Sequence, residues 1–224
     1  GIGFETTAPT VAASIKYAEK KKLKNFFVYS GHKVKPPAMR LLAEDKEVNI
    51  KGFLCPAHVS AILGIKSYAD ICEKYNIPCV IAGFEPLDIL QSILMLVRQV
   101  KLNMAKVENQ YDRVVKASGN IRALRLIEEV FSIKDSEWRG IGVIPKSGLI
   151  LNKRYADFDI EKNINLPEPK TSIDKGCICG SVLKGIKTPL DCKLFSKKCN
   201  PNNPYGACMV SSEGACAAYY KYKI

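Results

Sequence analysis

Apolar positions Val11, Ile15 and Ala18 recur at helical spacing behind Thr6-Thr7-Ala8-Pro9. There a threonine side chain can cap free N–H groups and proline suits the first turn. Asn25-Phe26-Phe27-Val28-Tyr29-Ser30-Gly31 reads as a buried strand, and the next helix starts at Pro36-Pro37-Ala38. The alternation then repeats, with a strand over 50–55, a short helix over 58–63, a helix over 68–75 and a strand over 78–84. A long helix over 85–100 follows, with Leu87, Leu90, Ile93, Leu94 and Val97 on one face. Residues 107–115 read as extended, 120–131 as helix, and 140–145 and 147–150 as two short extended runs around a turn. Strands alternating with helices predict an α/β fold on a Rossmann-like, mostly parallel sheet. Three strands end in a polar cluster that opens a helix: Gly3-Phe4-Glu5-Thr6-Thr7, Cys55-Pro56-Ala57-His58-Val59-Ser60 and Gly83-Phe84-Glu85-Pro86-Leu87-Asp88. In open α/β sheets ligands sit at such carboxyl ends.

Past a linker over 163–172, which holds Pro167 and Pro169, apolar periodicity gives way to Gly, Pro and Cys. The expected division is a cleft-forming α/β region over 1–165, whose first strands are missing from the chain, and a small cysteine-rich domain over 166–224. Three of the nine cysteines, Cys55, Cys72 and Cys79, lie in the first region. Cys72 and Cys79 read as core residues, and Cys55 as either a small buried hydrophobe or a cleft thiol. The other six, Cys177, Cys179, Cys192, Cys199, Cys208 and Cys216, follow the spacing C-x-C-x12-C-x6-C-x8-C-x7-C. A zinc ribbon would show two C-x2-C knuckles, and no histidine lies in this segment. An iron–sulfur cluster is the preferred reading, because its four thiolates tolerate variable spacing and Gly176, Gly180, Gly206 and Gly214 let backbone N–H groups approach sulfur. All-thiolate zinc and disulfides stay open. Six cysteines for four ligand positions leave two over, as a redox-active pair beside a cluster would.

Composition narrows the classes. With 224 residues, 47% hydrophobic and 25% charged, the chain is neither disordered, collagen-like nor a membrane bundle. Its longest apolar-rich stretch, residues 86–100, is broken by Asp88, Gln91, Arg98 and Gln99 and falls short of the ~20 residues of a span. The start, Gly1-Ile2-Gly3, lacks a basic n-region and a methionine, so it reads as an excised piece of a longer, cytoplasmic protein rather than a secretory signal. The net charge of +12 comes from scattered lysines, which read as a solvated surface rather than a nucleic-acid patch. No G-x-G-x-x-G or P-loop follows a strand, which weakens a nucleotide-binding enzyme.

Several runs taken together are specific. They are Gly3-Phe4-Glu5-Thr6-Thr7-Ala8-Pro9, Cys55 to Ser60, Ile81-Ala82-Gly83-Phe84-Glu85-Pro86-Leu87-Asp88-Ile89-Leu90, Val107-Glu108-Asn109-Gln110-Tyr111 and Gly206 to Tyr220. In this order, and essentially end to end, they resemble the HypD family of hydrogenase maturation proteins. The resemblance implies a scaffold for the Fe(CN)2CO group of [NiFe]-hydrogenase, rather than a conventional enzyme. It also implies iron held jointly with a small HypC-type chaperone, cyanide from a HypE-type donor, and only indirect contact with the hydrogenase large subunit. The family fold has two α/β domains around a cleft and a C-terminal domain with a [4Fe–4S] cluster. Carried onto this chain, Cys177, Cys192, Cys199 and Cys216 become the cluster ligands and Cys179 and Cys208 the redox thiols. The family's N-terminal third, whose C-G-x-H and C-P-V-C motifs hold the mononuclear iron, is missing from these residues. Ala57 stands where the family usually has glycine, a strained substitution if the position needs positive φ.

Of the strand-end residues, Glu5, Thr6 and Thr7 could supply a carboxylate and hydroxyls to a cleft, or simply cap a helix. His58 could donate a proton or orient a ligand there, or serve as a capping or core histidine. Glu85 and Asp88 could line the cleft or satisfy a helix dipole. His32 caps or lines the cleft. A competing reading from another class is a zinc-stabilised, cysteine-rich interaction module on an α/β domain.

Overall fold

A computed structural model describes residues 1–165 and 176–222. The described residues divide into two compact units, the first holding 1–44, 50–136 and 145–165 and the second 45–49, 137–144 and 176–222. The proline-bearing stretch expected as a linker lies, from residue 166 on, outside the described residues.

The first unit is the α/β part. Strands β1 (Phe53–Pro56), β2 (Cys79–Ala82) and β3 (Val107–Asn109) form a parallel sheet in that order, with Cys55 opposite Ile81 and Ile81 opposite Asn109. Parallel neighbours need a crossover. Helices α3 (Ala57–Leu63) and α4 (Ala69–Tyr75) supply it between β1 and β2, and α5 (Pro86–Lys101) between β2 and β3. Central β2 is buried at all four residues, as expected of a strand covered on both faces. Around it pack Cys55, Ala57, Tyr68, Ile71, Cys72 and Val115, so Cys55, Cys72 and Cys79 are all core residues.

A second apolar cluster joins α1 (Ala8–Lys20) to α6 (Ile121–Val130). Ala8 and Ala12 share one face of α1, and their small side chains sit with Ile15 against Val130, Phe131, Leu149, Leu151 and Tyr155. Phe131, Leu149 and Leu151 come from the hairpin of β4 (Phe131–Trp138) and β5 (Gly142–Leu151). Asn120 caps α6, its Oδ1 accepting from the Ala123 N–H at 3.1 Å. Helix α2 (Lys35–Glu44) lies between α1 and β1, and the short helix α7 (Ile160–Asn163) follows β5.

Several sequence expectations change in the structure. Residues 25–31 form no strand, and only Val28 is bridged, through its N–H to Phe158 O at 2.7 Å and its O to Ile160 N–H at 3.2 Å. Phe27 and Tyr29 stay exposed, because an apolar run becomes a ladder only beside a neighbour. The extended stretch expected over 107–115 stops at Asn109. That side chain accepts from the Tyr111 N–H at 3.1 Å and donates to Val115 O at 3.0 Å, turning the chain. The turn expected between residues 145 and 147 is not one: β5 runs through it with Lys146 at φ 54°, and the reversal falls at 139–141. Thr7 sits at the N-cap of α1 with helical dihedrals, and its hydroxyl donates to Phe4 O at 3.1 Å instead of capping. Ala57 is the first residue of α3 and is absent from the positive-φ positions, so alanine is unstrained there.

Helix α5 has the apolar face that its sequence shows, but that face points away from the sheet. Leu87, Leu90, Leu94 and Val97 are exposed, while Asp88, Ser92 and Gln99 are the buried residues. Hydrogen bonds replace apolar contact inward: Gln99 donates to Glu108 Oε2 at 2.9 Å and accepts from the Lys106 N–H at 3.0 Å. No described helix is long and apolar enough to cross a membrane.

His32 is buried in this unit beside Phe131, its Nδ1 3.2 Å from Ser30 Oγ and its Nε2 without a partner. Burial, reinforced by the chain's amino-terminal charge, pushes its pKa down to about 4. The unfolded chain therefore binds a proton that the folded one refuses between pH 6.5 and about 4, and this histidine's contribution to stability falls as pH drops through that window. An NMR titration of the His32 ring should give a midpoint near 4, and one near 6.5 would contradict the burial.

Candidate functional site

The second unit is organised by sulfur. Its helices are short: α8 (Cys179–Leu183) and α9 (Ala207–Val210) are about one turn each and α10 (Ala215–Tyr222) about two, with a 3-10 turn at Pro189–Asp191. Asp191 fixes that turn by accepting from the Thr188 N–H at 2.8 Å and the Thr188 hydroxyl at 2.9 Å. The apolar cluster holding the unit together is Cys179, Val182, Cys199, Cys208, Met209, Cys216 and Ala217, with Cys177 packed against it. So small a unit has little hydrocarbon to bury, and thiols make up much of its centre.

Cys208 is the hub of this cluster. Its Sγ lies 3.0 Å from Cys216 Sγ, and its backbone N–H donates to Cys179 Sγ at 3.3 Å. Cys199 Sγ accepts from the Tyr205 N–H at 3.5 Å, and Cys192 Sγ lies 4.0 Å from Gly176 O. Cys177 and Cys179 meet at Gly206: a Cβ on that glycine would stand 2.8 Å from Cys177 Sγ and 2.7 Å from Cys179 Cβ. Residue 206 therefore has to be glycine for two sulfurs to approach the start of α9. In Cys179 the neighbouring Cys208 thiol and burial both raise the pKa, and burial raises those of Cys177 and Cys216. Among the described residues no three Cys, His, Asp or Glu side chains converge on a point where one metal ion would sit. The donor set is nonetheless thiol only, and the cradle at Gly206 is of the kind in which backbone N–H groups reach cluster sulfur.

The strand-end residues of the first unit form a separate centre. His58, exposed at the start of α3 after β1, stacks on Phe84 just past β2, with ring centroids 5.1 Å apart. Glu85 is exposed beside that stack. Asp88 is buried and serves as an anchor: Arg113 donates to both of its oxygens, at 3.0 and 2.6 Å, and Gln110 to Oδ1 at 2.8 Å. The guanidinium hydrogen bonds and charge, with the Gln110 bond, hold this carboxyl below the usual range. Arg113 also lies over the Tyr111 ring, 4.0 Å from its centroid. Gly83 permits the arrangement, since a Cβ there would stand 2.1 Å from Asp88 Oδ2 and 2.5 Å from the Tyr111 ring.

Glu5 is buried deeper than a cleft carboxylate would be. Its Oε1 accepts from the Lys35 N–H at 2.7 Å, its Oε2 has no partner, and desolvation raises its pKa. Its charge also bears on buried Tyr68, whose hydroxyl lies 2.9 Å from Ser60 Oγ. Thr6 is half-buried and Thr7 exposed. The sequence reading assigned no role to Arg113, Gln110 or Phe84. A buried aspartate demands a cationic partner, and Arg113, two residues past the Val107–Tyr111 run, is the nearby cation that signals it.

A family model, described as "Hydrogenase formation hypA family" and labelled HypD, matches residues 1–223. The chain belongs to the HypD family. It is 48% identical over 222 residues to a putative hydrogenase expression/formation protein of Methanocaldococcus jannaschii, covering 99% of this chain and 62% of that protein. It is 48% identical over 228 residues to hydrogenase maturation factor HypD2 of Bradyrhizobium diazoefficiens, covering 99% of the chain and 60% of the relative. Against hydrogenase maturation factor HypD of Escherichia coli the identity is 45% over 224 residues, all of this chain and 60% of the relative. The chain thus spans about 60% of the length of the relatives it matches.

Replacing Gly83 by alanine drives a methyl into Asp88 and Tyr111 and should cost about 1–3 kcal/mol of stability, as overpacking does elsewhere. Urea unfolding of Gly83→Ala measures it, and an unchanged midpoint would mean that the strand-end turn is looser than described.

Proposed function

We propose that this chain is the cluster-bearing part of a hydrogenase maturation scaffold on which the Fe(CN)2CO group of [NiFe]-hydrogenase is assembled. The observation that carries the reading is the all-thiol centre around Cys208 and Gly206 in a HypD-family chain. Cys177, Cys192, Cys199 and Cys216 would hold a [4Fe–4S] cluster, leaving Cys179 and Cys208 as the redox thiols. Such a cluster, when bound, supplies single electrons. The chain's own part is to keep the Cys179 and Cys208 thiols buried side by side, where they can close to a disulfide and reopen. The mononuclear iron is cargo, held mainly by residues outside this chain and by a HypC-type chaperone, with a HypE-type partner delivering cyanide. His58, Phe84 and Glu85, at neighbouring strand ends, are the exposed groups of the first unit suited to line the place where that cargo is completed. Assembly of this kind belongs in the cytoplasm.

Anaerobic purification followed by iron and sulfide determination should give about four of each per chain, with broad visible absorption. A colourless protein with one tightly held zinc would favour the interaction-module reading and sink this one. Cys199→Ser should lose the iron, Gly206→Ala should lower its occupancy by crowding Cys177, and Cys208→Ala should keep the iron while losing the titratable dithiol. Retention of full iron by Cys199→Ser would overturn the ligand assignment.

A further inference from the structure

Cys179 is 4% exposed, and part of what covers its sulfur is bare backbone. Gly140, at φ 89° in the turn between β4 and β5, comes so close that a Cβ there would stand 3.3 Å from Cys179 Sγ. The Gly140 carbonyl in turn rests on Gly180, where a Cβ would stand 2.2 Å from its oxygen. Gly206 closes in from the start of α9, at a place where a Cβ would stand 3.2 Å from the same sulfur. Three glycines thus meet around one thiol, all within the second unit, each at an approach that a side chain would obstruct. Cys208 is enclosed differently. Its Sγ lies 3.0 Å from Cys216 Sγ and its backbone lies against Gly214, where α9 packs on α10.

Hydrogen bonds hold the turn over Cys179. The Ile141 N–H donates to Trp138 O at 2.9 Å, which shapes the turn itself. Exposed Arg139 donates through Nη2 to Tyr205 O at 2.7 Å, which ties the turn to the residue before Gly206. A guanidinium–carbonyl bond at the surface exchanges for water at small cost, whereas the packing behind Cys208 has to come apart as a whole. We propose that the 139–141 turn is a latch over Cys179, fastened by Arg139 as a positioning residue, so that opening of this one bond sets how fast a reagent from solution reaches the thiol. The inference rests on the reading of Cys179 as a redox thiol outside the cluster.

Iodoacetamide alkylation of the anaerobically purified chain, followed at each cysteine by peptide mass spectrometry, tests the latch. Arg139→Ala changes an exposed position, should keep the circular dichroism spectrum, and should raise the Cys179 rate about tenfold, the weight of one hydrogen bond from a charged donor. Cys208 should keep its own rate. Charge alone acts in the opposite direction, because removing a cation lowers the thiolate fraction of a nearby thiol and slows its alkylation. Arg139→Lys keeps the charge without the planar fork and should fall between. Gly140→Ala, strained at φ 89° and pressed on the sulfur, should raise the Cys179 rate with Arg139 still in place. A Cys179 rate that Arg139→Ala leaves unchanged or slows, or a Cys208 rate that rises in step, overturns the latch and leaves the cluster assignment standing. Iron counted in the same samples separates the two failures: iron lost in step with Cys179 alkylation makes Cys179 a ligand, and the assignment falls and the latch with it.

Discussion

Burying the Asp88 carboxylate constrains most of what surrounds it in the first unit. An aspartate out of water needs a cation and further donors, and Arg113 and Gln110 supply them from the loop after β3. Those bonds tie the start of α5 to the end of β3, while Gly83 after β2 leaves room for the carboxylate and the Tyr111 ring together. The ends of β2 and β3 and the start of α5 are thereby pinned together at the carboxyl-end side of the sheet, where an open α/β sheet presents its ligands. Phe84 and Glu85 lie between the pinned residues Gly83 and Asp88, so the exposed His58–Phe84 stack rests on a braced turn rather than a free loop.

The second unit solves a different problem with other material. It has too few apolar residues for an ordinary core, and four buried cysteines take that place, with Gly206 making room for them. Directional contacts to sulfur, from the Cys208 and Tyr205 N–H groups, do the ordering that interdigitated hydrocarbon does in the first unit. Cys179, beside the Cys208 thiol, and the buried thiols of Cys177 and Cys216 hold their protons more tightly. Position and chemistry are therefore inseparable in this unit, since the side chains that would bind a metal are also those that pack.

The order of helices and strands was legible in the sequence, because a continuous apolar run such as Cys79–Ala82 and a capped amphipathic run such as Ile121–Val130 leave period and punctuation behind. Residues 25–31 misled because strand propensity says nothing about whether a neighbour exists to complete a ladder. Asn109 ended its strand through its own side chain, which a propensity reading passes over. Strand-end motifs flagged Glu85 and Asp88 alike, yet one is solvent-exposed and the other is a buried anchor. Arg113 reaches both, at 2.6 Å from Asp88 and 3.6 Å from Glu85, so burial is what separates the two acids, and the local pattern does not state it.

Helix α5 shows why amphipathic period and burial have to be kept apart. Its apolar stripe is the sort that normally faces a core, yet the sheet side is taken by Asp88, Ser92 and Gln99. Apolar packing tolerates small slips, whereas hydrogen bonds at both ends of a helix do not. Gln99 is bonded to Glu108 and Lys106 near one end, and Asp88 to Gln110 and Arg113 near the other. Moving α5 by one residue along β2 would break both sets at once and strand buried polar groups. The outward row and the strand-end centre are consequently mounted on one element whose register is fixed by directional bonds. Whatever binds the row meets a surface already aligned to the site, and a change that loosens Asp88 loosens the alignment of both.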